Sequence, residues 1–197
     1  MEHVVATETG WIHTLFNHRG LRRFLLKARV PLVLLLLIAW PWWVKPQLIW
    51  YGVGISTIGE ALQLWCFACI EKEQVLTIRG PYQLCRNPMY LGRYLLILGF
   101  IATTGSVMAM LGYTILYYYY MVNRVKREEP VLEGVFGEPY QAYCRDVHRF
   151  MPGRGRFERT NFGFFNGQIM LSNHGHWNLL AAVLAYVYLL TMLRWAV

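Results

Sequence analysis

An all-α integral membrane fold, of about five transmembrane helices with a helical hairpin among them, is predicted by three observations. Of 197 residues, 56% are hydrophobic and only 15% charged, and the mean hydropathy of +0.30 is well above what a water-soluble domain of this size needs. Apolar blocks long enough to cross a bilayer recur along the chain, and the basic residues collect in alternate connections between them. A hydrocarbon core about 30 Å thick takes roughly 20 helical residues to cross, so several spans use up most of the chain. Residues 1–197 therefore read as a single membrane domain.

The first span is expected over residues 30–44, which hold no charge, extended back over 24–28. Pro41, Trp42, Trp43 and Lys45 stand where a small-residue cleavage site would, so the run reads as a retained helix and not a signal peptide. The second span, 46–70, carries only Glu60 as a formal charge, and its Gly52, Gly54, Ser56 and Gly59 let a neighbouring helix approach closely. Residues 94–123 are uncharged throughout, too long for one span and right for two short ones broken at Thr103-Thr104-Gly105-Ser106, which gives the hairpin. A fifth apolar block, 177–193, ends at Arg194 and Trp195.

The charges test that count. Of 19 Lys and Arg, all but Lys45 and Arg194 fall before span one, between spans two and three, or after span four. Such a bias marks the cytoplasmic side, with the N-terminus inside and the C-terminus outside. The formal charge of +8 suits an anionic membrane surface, and the apolar content argues against nucleic acid as the partner. Cys66, Cys69, Cys85 and Cys144 are too few and scattered for a disulfide framework and read as reduced thiols. A compact chain with no glycosylation sequon fits a bacterial inner membrane better than the endoplasmic reticulum.

Polar residues concentrate in two cytoplasmic segments, 71–93 and 124–159, which flank the hairpin and are thus neighbours in space. The first contains Gly80-Pro81-Tyr82 and then Arg86-Asn87-Pro88-Met89-Tyr90-Leu91-Gly92. Asn87 before Pro88 has the form of a helix N-cap, and a helix start with free N–H groups can also receive a carboxylate or phosphate. The second runs from Arg124 through Glu128-Glu129-Pro130 and Phe136-Gly137-Glu138-Pro139-Tyr140-Gln141-Ala142-Tyr143 to Arg149-Phe150-Met151-Pro152. By charge pattern alone it is a solvated juxtamembrane face. Adjacent carboxylates at a membrane exit also suit a ligand bearing an amine or hydroxyls.

In order and spacing these motifs, with the hairpin between them, resemble the isoprenylcysteine carboxyl methyltransferase and phospholipid methyltransferase superfamily over about residues 79–152. Residues 153–197 then form a C-terminal extension with one additional span. The resemblance implies an integral membrane enzyme with a cytoplasmic pocket for S-adenosylmethionine, methylating a lipid-borne or isoprenoid acceptor that enters from the bilayer. It puts the cofactor elements on Gly80, Tyr82, Arg86, Asn87, Pro88, Tyr90, Glu128 and Glu129, with Arg149, Glu129 and Tyr90 as catalytic candidates. Arg124, Tyr140 and Tyr143 match further motif positions. In the pocket so implied, Glu128 or Glu129 holds the cofactor's amino group or ribose, and Arg86 or the start of span three meets its carboxylate. Carboxyl methyltransferase members commonly have His where this chain has Asn87, so no His-dependent step is implied there. An amine acceptor needs a base and a carboxylate does not; Glu129, Tyr90 and His148 are the weak candidates.

Other signals are read as structural. Cys66 and Cys69 lie in an apolar helix and serve packing. His174 and His176 lack the further ligands that a zinc site needs, and no metal is expected. Tyr117 to Tyr120 form an interfacial belt, one ring of which could stack on a sulfonium. Glu60 is either a functional intramembrane acid, or paired with an Arg, or near the cytoplasmic end. Two rivals to the methyltransferase are an NADPH-dependent membrane reductase of sterol-reductase-like architecture, disfavoured by the Glu-Glu pair, and a non-catalytic scaffold.

Overall fold

The computed structural model describes residues 38–71, 75–151 and 159–195, with isolated helical positions at 28, 31, 35 and 36. The helices are α1 (Ile49–Cys69), α2 (Pro88–Ala102), α3 (Val107–Phe136), α4 (Glu138–Asp146), α5 (Arg159–Phe162), α6 (Gly167–Ser172) and α7 (Gly175–Trp195), and the described residues include no strand. Most of the first expected span lies outside the described residues. The described part of it holds helical positions at 31, 35, 36, 38 and 39 and ends in a 3-10 turn at Trp40–Trp43.

Small residues decide the closest packing. Gly52, Ser56, Gly59 and Gln63 form one stripe of α1, and Gly92, Gly99 and Thr103 face it from the antiparallel α2. Here backbone meets backbone: a Cβ on Gly59 would collide with the Leu96 amide and stand 2.6 Å from the Gly92 carbonyl oxygen. Ser56 Oγ donates to Leu96 O across the same seam at 2.7 Å. Gly59→Ala is therefore expected to lower the unfolding temperature in detergent, by a cost of about 1–3 kcal/mol for overpacking. Gly54→Ala meets nothing within 4 Å and serves as the neutral control; equal melting of the two variants would refute the seam.

The hairpin turns where expected. Ser106 caps α3 by accepting from the Ala109 amide at 3.2 Å, and Gly105 takes φ +66°. Lys45 N donates to Thr103 O at 2.9 Å, which ties this turn to the start of α1. Antiparallel α3 then packs on α2 through Tyr94, Tyr113 and Tyr117, with Tyr117 Oη donating to Tyr90 O at 2.7 Å. Tyr117 is thus an inter-helix contact and not only a belt residue. Beyond Asn123 the helix does not stop: α3 runs through the charged segment and through Pro130 to Phe136.

α7 returns antiparallel to α1. Asn173 Nδ2 donates to Phe67 O and Ile70 O, and Leu189 packs with Val44 and Ile49 at the far end. Two stretches, Pro46–Cys69 and Gly175–Arg194, are long and apolar enough to cross a membrane, whereas Pro88–Ala102 is shorter. The 103–106 turn cuts α2 to 15 residues, about 22 Å, and the tyrosines dilute the apolar character of α3. The basic ends still sort as expected, because Arg79, Arg86, Arg124 and Arg149 share the end where α1 finishes and α2 begins. Lys45 and Arg194 lie at the other.

Candidate active site

At the basic end the two polar segments are stitched together by backbone. Arg86 N donates to His148 O at 2.9 Å, Asn87 Nδ2 to Arg149 O at 3.2 Å, and Tyr143 Oη to Tyr82 O at 2.7 Å. Asn87 is the N-cap residue of α2, as expected. Its side chain, however, makes no cap bond and is turned to the 149 carbonyl instead.

Above this seam the charges interlock. Glu129 lies between two guanidiniums: Arg149 Nε donates to its Oε1 at 2.9 Å and Arg149 Nη2 to its Oε2, while Arg86 Nη2 is 3.2 Å from Oε1. Glu128, one residue along the helix and so turned by about 100°, has separate partners. Arg124 Nε donates to its Oε1 at 2.6 Å and Tyr90 Oη to its Oε2 at 2.8 Å. Three guanidiniums thus face two carboxylates, leaving one positive charge. The buried Arg86 Nε has no hydrogen-bond partner among the described residues, a donor suited to an anion. Burial pushes the phenols of Tyr140 and Tyr143 and the Cys85 thiol upward, so all three stay protonated at neutral pH.

Two cavities flank this cluster. The more polar one, of 270 Å³, sets Glu71, Thr77, Tyr82, Arg86, Asn87, Tyr140 and Tyr143 among the apolar side chains Ile70, Val75, Leu76, Leu132 and Phe136. An apolar one of 370 Å³ lies between α2 and α3, lined by Leu91, Tyr94, Thr114, Tyr117, Tyr118 and Met121 and closed by Phe150 and Met151. Asn87 borders both. Leu91, Phe136, Phe150 and Met151 lie within the quoted motifs without being named as site residues, and Met121 and Leu132 lie outside them. Their signal was present in α3, where 114, 118, 121, 125, 128, 132 and 136 recur at helical spacing on one face.

Of the residues named from sequence, Arg86, Asn87, Glu128, Glu129, Tyr90 and Arg149 come together here, and Tyr82 lines the polar cavity. Gly80 and Pro88 line neither. Gly80, at φ +59°, lets the chain pass α1, where a Cβ would stand 2.5 Å from Cys69 Sγ, and Pro88 is the buried first residue of α2. His148 is exposed, and Cys66 and Cys69 pack against Tyr82 as expected. Among the described residues there is no cluster of three or more metal-ligating side chains.

Residues 48–139 match the phospholipid methyltransferase family. The chain is 36% identical over 117 residues to the cobalt-zinc-cadmium resistance protein CzcN of Cupriavidus metallidurans, covering 56% of this chain and 51% of that protein. It is 30% identical over 114 residues to the nickel-cobalt-cadmium resistance protein NccN of Alcaligenes xylosoxydans xylosoxydans, covering 56% and 52%. Over 82 residues it is 27% identical to the protein-S-isoprenylcysteine O-methyltransferase of Schizosaccharomyces pombe, covering 42% and 35%. The chain thus spans about half the length of the first two curated relatives and about a third of the last. No solved structure matches it. Over the segment carrying α1 to the start of α4 the chain is thus similar to phospholipid methyltransferases, and more distantly to an isoprenylcysteine O-methyltransferase.

Proposed function

We propose that the protein is an integral membrane methyltransferase that moves the methyl group of S-adenosylmethionine to a lipid-borne or isoprenoid acceptor. The observation that carries this reading is Asn87, which borders both a cavity that carries Glu71 and Arg86 and a more apolar one. A transfer between a polar donor and a lipid acceptor needs such a junction, since the gain comes from aligning the two and excluding water.

The residues fit the cofactor. Its carboxylate suits Arg86, which Glu129 orients from behind, and its amino or hydroxyl groups suit Glu71 and Tyr82 of the same cavity. When bound, it supplies an electrophilic methyl on a sulfonium. All three carboxylates of the site are held by guanidiniums, Glu71 by Arg79, Glu128 by Arg124 and Glu129 by Arg86 and Arg149, and three tyrosine and cysteine groups are protonated, so no side chain there is a ready base. With one net positive charge as well, the site favours a carboxylate acceptor over an ammonium, in line with the O-methyltransferase named among the relatives. Five spans, a cytoplasmic pocket and an inner-membrane location belong to the same proposal, resting on the apolar blocks and the sorting of basic residues.

Binding of S-adenosylhomocysteine to the purified protein, against NADPH, tests it. Saturable binding of the first and methylation of a prenylated or fatty carboxylate are expected. Binding of NADPH alone would move the assignment to a reductase.

A further inference from the structure

Glu60 has no part in the site above. It lies about 16 Å along α1 from Ile49, near half depth of a core about 30 Å thick, and is only 4% exposed. The alternatives of an Arg partner or a position at the cytoplasmic end are not what the described residues give. Its Oε2 accepts from Asn178 Nδ2 of α7 at 2.7 Å and from Gln63 Nε2 at 3.4 Å. Its Oε1 is buried without a donor, and among the described residues no Lys or Arg pairs with it.

Glu60 borders a cavity of 330 Å³ between α1 and α7, within the range of small-molecule sites. The wall is apolar except for Glu60, Thr57 and the Ser56–Tyr186 pair. That pair is already satisfied, because Ser56 donates to Leu96 O and takes its other bond from Tyr186, 2.6 Å away. The acceptor left over is Glu60 Oε1. Val183 and Val187, which line it, stand half exposed.

We propose that this cavity is a second binding site, entered from the bilayer, for a single-chain amphiphile whose head group is a primary amine held by Glu60. A carboxylate oxygen with no donor at mid-bilayer is costly. An ammonium brings both the missing hydrogen bond and the missing charge, an alcohol brings only the bond, and an ester brings neither. The apolar wall takes the chain.

The test is photolabelling of the full chain in phosphatidylcholine nanodiscs with a diazirine-bearing octadecylamine, its matched alcohol and its matched methyl ester, read by peptide mass spectrometry. The amine should label α1 and α7 peptides saturably, at least tenfold above the ester and clearly above the alcohol. Glu60→Gln should cut that labelling at least fivefold. Ala182→Phe, which fills the cavity from α7 and leaves Glu60 in place, should do the same, and it decides alone if Glu60→Gln is not monodisperse. Equal labelling by amine and ester or by amine and alcohol, or labelling that survives Ala182→Phe, overturns the proposal. None of these readouts depends on methyl transfer or on S-adenosylhomocysteine binding, so failure here and failure of the methyltransferase reading are separate results.

Discussion

Glu129→Gln is expected to weaken S-adenosylhomocysteine binding by about 100-fold and to lower the unfolding temperature of the protein. Glu129 is the one counter-ion that Arg86 and Arg149 share. Without its charge the two guanidiniums repel each other across a partly desolvated space, and Arg86 loses what orients it toward the polar cavity. Breaking a buried pair costs about 3–5 kcal/mol. Arg149 is partly exposed, so solvent screening puts the effect at the low end of that range. Glu128→Gln should cost tenfold at most, since Arg124 and Glu128 are both more exposed and Tyr90 can keep a hydrogen bond to an amide oxygen. Calorimetric titration of both variants decides. Equal losses would mean that the two glutamates share one role, against the geometry. Arg149→Gln combined with Glu129→Gln should cost much less than the two singles added, as for any pair in direct contact.

The separation of the two glutamates is something the sequence could state only in part. Adjacent residues on a helix must diverge by about 100°, but that residues 124–136 are helical at all depends on α3 continuing through Pro130. The hairpin was legible because the Thr-Thr-Gly-Ser break is a strong local signal, and it falls at the observed turn. So were α1 and α7, whose composition is set by their surroundings. The seam between α1 and α2 was half visible, as small residues without a known partner stripe. Contacts across long separations were out of reach: Glu60 and Asn178 are 118 residues apart, and neither local pattern implies the other. Asn87 shows how a correct local rule can miss the use of a residue. The Asn-Pro start of a helix was read properly, yet the amide is drawn away from capping by a carbonyl 62 residues on. That long-range bond is what puts Asn87 between the cavities.

The apolar cavity can be probed apart from the polar one. Leu91→Trp places an indole into the space between α2 and α3 from a partly exposed position in the second turn of α2. If this is where the chain of the acceptor lies, KM for a long-chain acceptor should rise by about tenfold or more, the scale on which a pocket discriminates by size. The Kd for S-adenosylhomocysteine should stay within about twofold, because Leu91 does not border the polar cavity. A short-chain carboxylate acceptor supplies the internal control. It would not reach past Asn87, so its KM should be nearly unchanged in Leu91→Trp. An equal rise for short and long acceptors would place the lipid elsewhere, and a loss of cofactor binding would mean that the two cavities are one site. The expected split, with cofactor affinity kept and long-chain selectivity lost, requires that a single residue, Asn87, be the boundary between them.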